Sequence, residues 1–185
     1  MKGIVFDLYH QLVCEKFGLK TWDALLNKVC PASGGAYTSG ASYPDSELLA
    51  LVSALGQQTK LGVDALIRSF GEFMFPRFAR LYPEFFKPGY TLATFLKSVE
   101  TIVHVEVLKL YPDAYVPKMH FEDDGPGRLM MTYQSRRKLC ALAEGLLLGA
   151  ARYYKTGLVY KQIQCMHQGA SHCSYQLQIL EENHV

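Results

Sequence analysis

Apolar residues recur at helical spacing through most of the chain and at alternate positions near its end, which predicts helices first and strands last. Ile4, Leu8, Leu12 and Val13 mark one helical face that Gly18 stops, and Thr21 then offers a hydroxyl cap to a second helix running to Cys30. Residues 31–44 are small and turn-forming, bounded by Pro31 and Pro44, and read as a surface loop. Asp45 and Ser46 cap a third helix through Leu55, and 63–74 makes a fourth that Pro76 should kink or end. One turn is expected at 83–86. Thr91 caps the most apolar helix, through Leu92, Leu96, Val99, Val103, Val107 and Leu110, until Tyr111-Pro112 stops it.

Beyond Pro112 the period changes to two. Residues 117–122 and 129–135 read as strands around the turn Asp124-Gly125-Pro126-Gly127, a helix follows over 136–154, and a second hairpin carries Leu158, Tyr160 and Ile163, a turn at 167–170, then Tyr175, Leu177 and Ile179. The order predicts an α+β fold: N-terminal helices followed by a roughly four-stranded antiparallel sheet with a helix between its hairpins. Its length of 185 residues fits one domain, with a helical subdomain over residues 1–60 and the remaining helices and the sheet over 61–185.

Composition narrows the function. The chain is 49% hydrophobic and 19% charged, which excludes disorder for most of it. A formal charge of +2 with no dense basic run argues against nucleic acid or an anionic membrane surface as partner. The longest apolar stretches, 48–55 and 139–151, fall short of the roughly 20 residues that span a bilayer. The first residues are too short for the core of a secretory signal, so a cytoplasmic location is expected. There, five cysteines suit reduced thiols or metal ligands better than a disulfide framework. Cys14 and Cys30 read as buried small hydrophobes, Trp22 as a core or interface aromatic, and His10, His120 and His184 as surface residues.

Three patterns can carry chemistry. His104 lies among β-branched residues on a helix that otherwise reads as core; it is either a hydrogen-bonded core histidine or a neutral imidazole presented to a metal or to the iron of a haem. In Tyr133-Gln-Ser135-Arg-Arg137 a period of two turns two hydroxyls and a guanidinium to one side, a set that suits a carboxylate. Cys165-Met-His167-Gln-Gly-Ala-Ser-His172-Cys173, with Cys140 on the preceding helix, offers thiolates and imidazoles that match a closed tetrahedral zinc site or remain free thiols.

A buried histidine followed about thirty residues later by Tyr-x-Ser-x-Arg, in a chain beginning Met-Lys-Gly-Ile, resembles the H-NOX family of haem nitric-oxide/oxygen-binding domains, over essentially the whole chain. The resemblance implies a haem b between the helical and sheet subdomains. His104 matches the proximal iron ligand, Tyr133, Ser135 and Arg137 the propionate clamp, and Pro117 the proline that distorts the macrocycle. Dioxygen-binding members carry a tyrosine nine positions after the first motif tyrosine, where this chain has Leu142; Met74 stands where they carry a partner amide. Ile4, Leu8, Met74, Leu142 and Leu146 then make an apolar distal pocket without a donor, which favours nitric oxide and carbon monoxide over stable dioxygen. Zinc-bearing members match at Cys140, Cys165 and Cys173, but their fourth ligand, a histidine, is Gln162 here. A carboxamide is a weak zinc ligand, which leaves His172 or His167 to substitute.

The expectation is therefore a gas sensor that signals by weakening of the His104–iron bond and by conformational change, with output to a separate histidine kinase or cyclic-di-GMP enzyme. Two other classes stay open: a haem-free small-molecule module similar to the 4-vinyl reductase type, which has no need of His104, and a thiol redox sensor working through Cys140, Cys165 and Cys173. An enzyme is not expected, because the sequence pairs no nucleophile with a base and shows no open metal site with a carboxylate.

Overall fold

The computed structural model of the chain describes residues 1–180; His184 lies outside them. Seven α-helices precede or interrupt four strands among these residues: α1 (Gly3–Phe17), α2 (Leu19–Val29), α3 (Asp45–Thr59), α4 (Val63–Leu81), α5 (Leu92–Ser98), α6 (His104–Leu110), β1 (Lys118–Asp123), β2 (Arg128–Gln134), α7 (Cys140–Tyr153), β3 (Gly157–Gln164) and β4 (Cys173–Leu180). The α+β order expected from the change of period is the order observed. No helix among the described residues is long and apolar enough to cross a membrane.

The chain divides into two compact units, Met1–Phe70 and Gly71–Val185, with the boundary inside α4. The first packs α1 to α3 around Leu12, Val13, Leu25, Leu51 and Leu55, each at most 2% exposed, with Trp22 in the same core. Its long loop is held by a buried acid: Glu47 accepts from the Ser33 hydroxyl at 2.7 Å and from Tyr37 Oη at 3.2 Å, which satisfies a carboxylate that burial would otherwise penalise. Two expectations fail here. Thr21 does not cap α2; the helix already starts at Leu19, and Thr21 Oγ1 donates back to the Phe17 carbonyl at 2.7 Å. Cys30 is exposed at the end of α2 in a left-handed conformation, while Cys14 is half-buried, so neither is a buried hydrophobe. His10 is half-buried and lies 4.8 Å from Trp22, centroid to centroid, whereas His120 is exposed.

In the second unit the strands run β1-β2-β4-β3, antiparallel throughout. The inward rows are Leu129, Met131 and Tyr133 on β2 and Cys173, Tyr175 and Leu177 on β4, facing each other in register as Leu129↔Leu177, Met131↔Tyr175 and Tyr133↔Cys173. They share one core with Cys140, Ala143, Leu147 and Ala150 of α7 and with Leu92, Phe95 and Leu96 of α5. The second half of α4 approaches α7 closely: a Cβ on Gly71 would lie 2.6 Å from the Leu142 carbonyl oxygen, and one on Gly149 would lie 2.6 Å from Phe75 Cβ. No residue larger than glycine fits either place without moving a helix.

Three boundaries differ from the sequence reading. α4 runs through Pro76 to Leu81, because Phe73, Met74, Phe75 and Ala79 continue its buried face and that burial outweighs the single backbone bond proline removes. The apolar helix expected from Thr91 to Leu110 is divided into α5, a π-helical turn over Val99–Val103, and α6. α7 starts at Cys140, not at residue 136, because residues 135–138 form a turn closed by the Lys138 N–H on the Ser135 carbonyl, 3.1 Å, with Lys138 at φ 51°.

Candidate functional site

His104 is the first residue of α6 and follows the π turn directly. π turns inside α-helices are rare and concentrate at functional sites, and the sequence carries no signal for this one. Nδ1 of His104 is buried with no hydrogen-bond partner. Desolvation moves the imidazole down to a pKa of about 4, so the ring is neutral at physiological pH, with one nitrogen that meets no partner among the described residues. A buried ring nitrogen without a partner is unfavourable unless something else meets it, and that is the situation of a ligand to a metal.

Tyr133 ends the inward row of β2 and Ser135 follows the strand; both are 4% exposed. The turn, and not a continued strand, then places Arg137: its N–H donates to Ser135 Oγ at 3.2 Å, a local hydroxyl-to-backbone bond that competes with helix and keeps α7 from starting earlier. Burial pushes the Tyr133 phenol up to about 12, so it is a donor at neutral pH. Arg137 Nη1 donates to the Tyr115 carbonyl at 2.7 Å, and Tyr115 Oη accepts from the Arg136 N–H at 2.9 Å. The Arg136 and Arg137 guanidinium carbons lie 4.2 and 4.8 Å from the centroid of the Tyr115 ring. Burial raises the Tyr115 phenol, but the facing Arg136 N–H, the Ser135 hydroxyl and the two guanidinium charges outweigh it and hold the phenol below its ordinary value. Tyr115 was missed in the sequence, where nothing but its place two residues before Pro117 marks it. Through it the motif turn anchors the segment that carries Pro117.

The apolar set is divided between the units. Ile4 and Leu8 lie one turn apart on α1 in the first unit, with Leu8 fully buried. In the second, Met74 is buried on α4, and Leu142 and Leu146 are half-buried one turn apart on α7, where their backbone meets Gly71.

The sulfurs of Cys140, Cys165 and Cys173 all lie within 4.8 Å of one another, and all three residues are buried. Cys140 and Cys173 are 3.0 Å apart and Cys173 and Cys165 3.8 Å. Burial first, and then the two neighbouring thiols, push the Cys140 pKa up. Among the described residues no histidine joins them. His172 has Nε2 at 2.7 Å from the Gln164 amide and Nδ1 at 3.0 Å from Ser171 Oγ, and His167 Nε2 lies 2.8 Å from the Lys138 carbonyl. Gln162 Nε2 donates to Tyr175 Oη at 2.8 Å, Tyr175 donates to Glu144 Oε1 at 3.2 Å, and Tyr160 donates to Glu144 Oε2 at 3.2 Å. Glu144, an acid inside the apolar run Leu-Ala-Glu-Gly-Leu, was a signal the sequence reading passed over. The side chains expected to supply a fourth ligand are thus bonded elsewhere, so the residues present do not complete a closed four-ligand zinc site.

For haem the fit is different: a neutral imidazole with an unpartnered ring nitrogen and a tyrosine–serine–arginine group suited to a carboxylate are the donor set it needs.

The comparisons agree. Residues 2–162 match a family model described as Haem-NO-binding. A crystal structure of an H-NOX protein from S. oneidensis in the Fe(II)NO ligation state is 29% identical with a TM-score of 0.92, covering 98% of this chain and 100% of that one. An NMR structure of an H-NOX domain from Shewanella oneidensis in the Fe(II)CO ligation state is 30% identical with a TM-score of 0.89, covering 99% and 100%. The Fe(II) unliganded H-NOX protein from K. algicida is 28% identical with a TM-score of 0.88, covering all of both chains. No curated protein sequence matches. With its sequence matched from residue 2 to residue 162 and its fold shared from end to end, the chain belongs to the Haem-NO-binding, or H-NOX, family and has the fold of a haem-based gas sensor.

Proposed function

We propose that this chain senses nitric oxide through a haem b whose iron is ligated by His104 and whose propionates are held by Tyr133, Ser135 and Arg137. The observation that carries the reading is the buried Nδ1 of His104, without a partner on a neutral ring. A haem-free small-molecule module would have no use for that imidazole. When bound, ferrous haem would supply an iron that takes up one diatomic gas, with His104 as the protein ligand that holds it.

The chain's own residues set the rest. Desolvation keeps the proton off His104, so its lone pair is available without competition from acid near neutral pH. Arg137 offers a planar cationic fork to a carboxylate, while Tyr133 and Ser135 add neutral donors. Because Arg137 also holds the Tyr115 carbonyl, the clamp fixes the approach to Pro117, the residue assigned to press on the macrocycle. Ile4, Leu8, Met74, Leu142 and Leu146 carry no hydroxyl or amide in their side chains. Dioxygen, which needs a donor for its charged outer atom, gains nothing from them, whereas nitric oxide and carbon monoxide need less help. The structures of relatives with NO and CO on Fe(II) support the same gases here.

A change at His104 is positioned to pass into the π turn that precedes it, where the helical hydrogen bonding is already irregular. We assign the output to a separate histidine kinase or cyclic-di-GMP enzyme in the cytoplasm, on the family resemblance, and assign no catalysis to the chain itself. The test is the absorption spectrum of anaerobic, reduced protein before and after nitric oxide, carbon monoxide or air. A Soret shift to the five-coordinate nitrosyl position, a carbonyl complex and no stable dioxygen complex are expected; absence of haem after reconstitution overturns the reading. Leu142→Tyr, which adds a hydroxyl to the apolar set, should raise dioxygen retention, and unchanged dioxygen affinity with the hydroxyl correctly placed would count against the distal argument.

A further inference from the structure

Cys140, Cys165 and Cys173 are 5%, 7% and 0% exposed in the core of the second unit. Two of their sulfur separations, 3.0 and 3.8 Å, are shorter than twice a metal–sulfur bond of about 2.3 Å, so one central atom can bond all the sulfurs with little movement. The only other hydrogen bond to them among the described residues is from the Met166 N–H to Cys173 Sγ, 3.3 Å. Among the described residues no ammonium, guanidinium or imidazole reaches a sulfur, and Gln162, His167 and His172 are each bonded elsewhere.

Two demands follow for any occupant. It must be complete with three sulfurs, and its charge must offset three thiolates, because an uncompensated charge in such a core is strongly unfavourable. The neighbouring ionisable side chain gives no relief, since Glu144, one turn along α7 from Cys140, is itself an acid bound to Tyr175 and Tyr160. A monovalent ion leaves two charges uncompensated and a divalent ion leaves one. A trivalent ion leaves none. Trivalent arsenic and antimony also carry a lone pair where a fourth ligand would stand, so three sulfurs complete their shell, and soft thiolates are the ligands that suit them.

We propose that Cys140, Cys165 and Cys173 form a trithiol site for a trivalent metalloid, arsenite or antimonite, in place of a closed zinc site. Three arsenic–oxygen bonds of arsenous acid break as three arsenic–sulfur bonds form. Each departing hydroxide takes the proton of one thiol and leaves as water, so arsenic stays trivalent and no electron is transferred. The product is a neutral centre joining the first residue of α7 to the facing ends of β3 and β4.

The test is titration of the reduced full-length chain with sodium arsenite, read by sulfur-to-arsenic charge-transfer absorption and by mass-spectrometric mapping of the cysteines protected from alkylation. One arsenite per chain is expected, protecting Cys140, Cys165 and Cys173 and leaving Cys14 and Cys30 reactive. Cys165→Ser should weaken arsenite by more than about tenfold, roughly 1.4 kcal/mol, while Cys14→Ser leaves it unchanged. Gln162→His should shift preference toward zinc by restoring a nitrogen ligand. Protection of only two of the three cysteines, which needs no variant to observe, overturns the proposal. So does zinc bound to the parent protein through three sulfurs and one nitrogen, as read by X-ray absorption.

Discussion

The motif turn and the thiol cluster occupy adjacent parts of one sheet, with Tyr133 and Cys173 opposite each other across β2 and β4, yet they differ in how complete they are. Around the turn, each side chain the family pattern asks for is present, and the fold adds Tyr115 to brace it. Around the thiols one residue departs from the pattern, Gln162, and it is bonded away from the sulfurs: Gln162 serves Tyr175, and Tyr175 and Tyr160 serve Glu144. Buried polar groups must find partners, and the carboxamide at this position finds one in Tyr175.

The largest effect should come from His104. His104→Gly removes the assigned iron ligand, and haem should then be retained only when imidazole is supplied in solution; a normal haem spectrum without imidazole would defeat the assignment. The thiol cluster should be untouched, with the same cysteines protected by arsenite, which keeps the two sites separable.

Acid probes the same imidazole in protein without haem. Because burial lowers its pKa from 6.5 to about 4, the unfolded chain binds the proton more readily than the folded one between those values. His104 thus costs no stability above about pH 6.5, and up to about 3 kcal/mol is lost as pH falls toward 4. Thermal melts of parent and His104→Leu from pH 7 to 4 should diverge by that amount, and parallel curves would contradict it.

Arg137→Ala is the next test, since it removes a charge-assisted donor and the hold on the Tyr115 carbonyl together. Haem should dissociate faster by the equivalent of roughly 1.5–3 kcal/mol, measured by transfer to apomyoglobin; equal rates would show that the arginine bears no propionate. Tyr115→Phe takes away only the hydroxyl that accepts from the Arg136 N–H. It should destabilise the protein by about 0.5–1.5 kcal/mol in urea unfolding, with a smaller change in haem release than Arg137→Ala. A larger change would make Tyr115 and not Arg137 the principal brace.

Much of the molecule could be read along the chain. The period of 3.6 giving way to two separates helices from strands, and the two hairpins pair as their turns suggest, because both signals are local consequences of backbone geometry and side-chain burial. The limits of that reading are equally physical. Pro76 marks a helix end in any local reading, and only the continued burial of Phe75 and Ala79 carries α4 past it. The start of α7 depended on a competition between the Ser135 hydroxyl and the helix, which residue type alone does not decide.

What the sequence determined by itself was the order of elements, the family, and which side chains are available: His104, the Tyr133–Ser135–Arg137 motif, and three cysteines with Gln162 beside them. What only the tertiary structure decided was which of their polar atoms are already paired. The π turn ahead of His104 and the unpartnered Nδ1 are visible only in the folded chain, and the bracing by Tyr115, the bond of Gln162 to Tyr175 and that of His167 to the Lys138 carbonyl join residues 22, 13 and 29 positions apart. Hydrogen bonds are short-ranged and directional, so whether a buried group is satisfied is set by where the fold brings its neighbours.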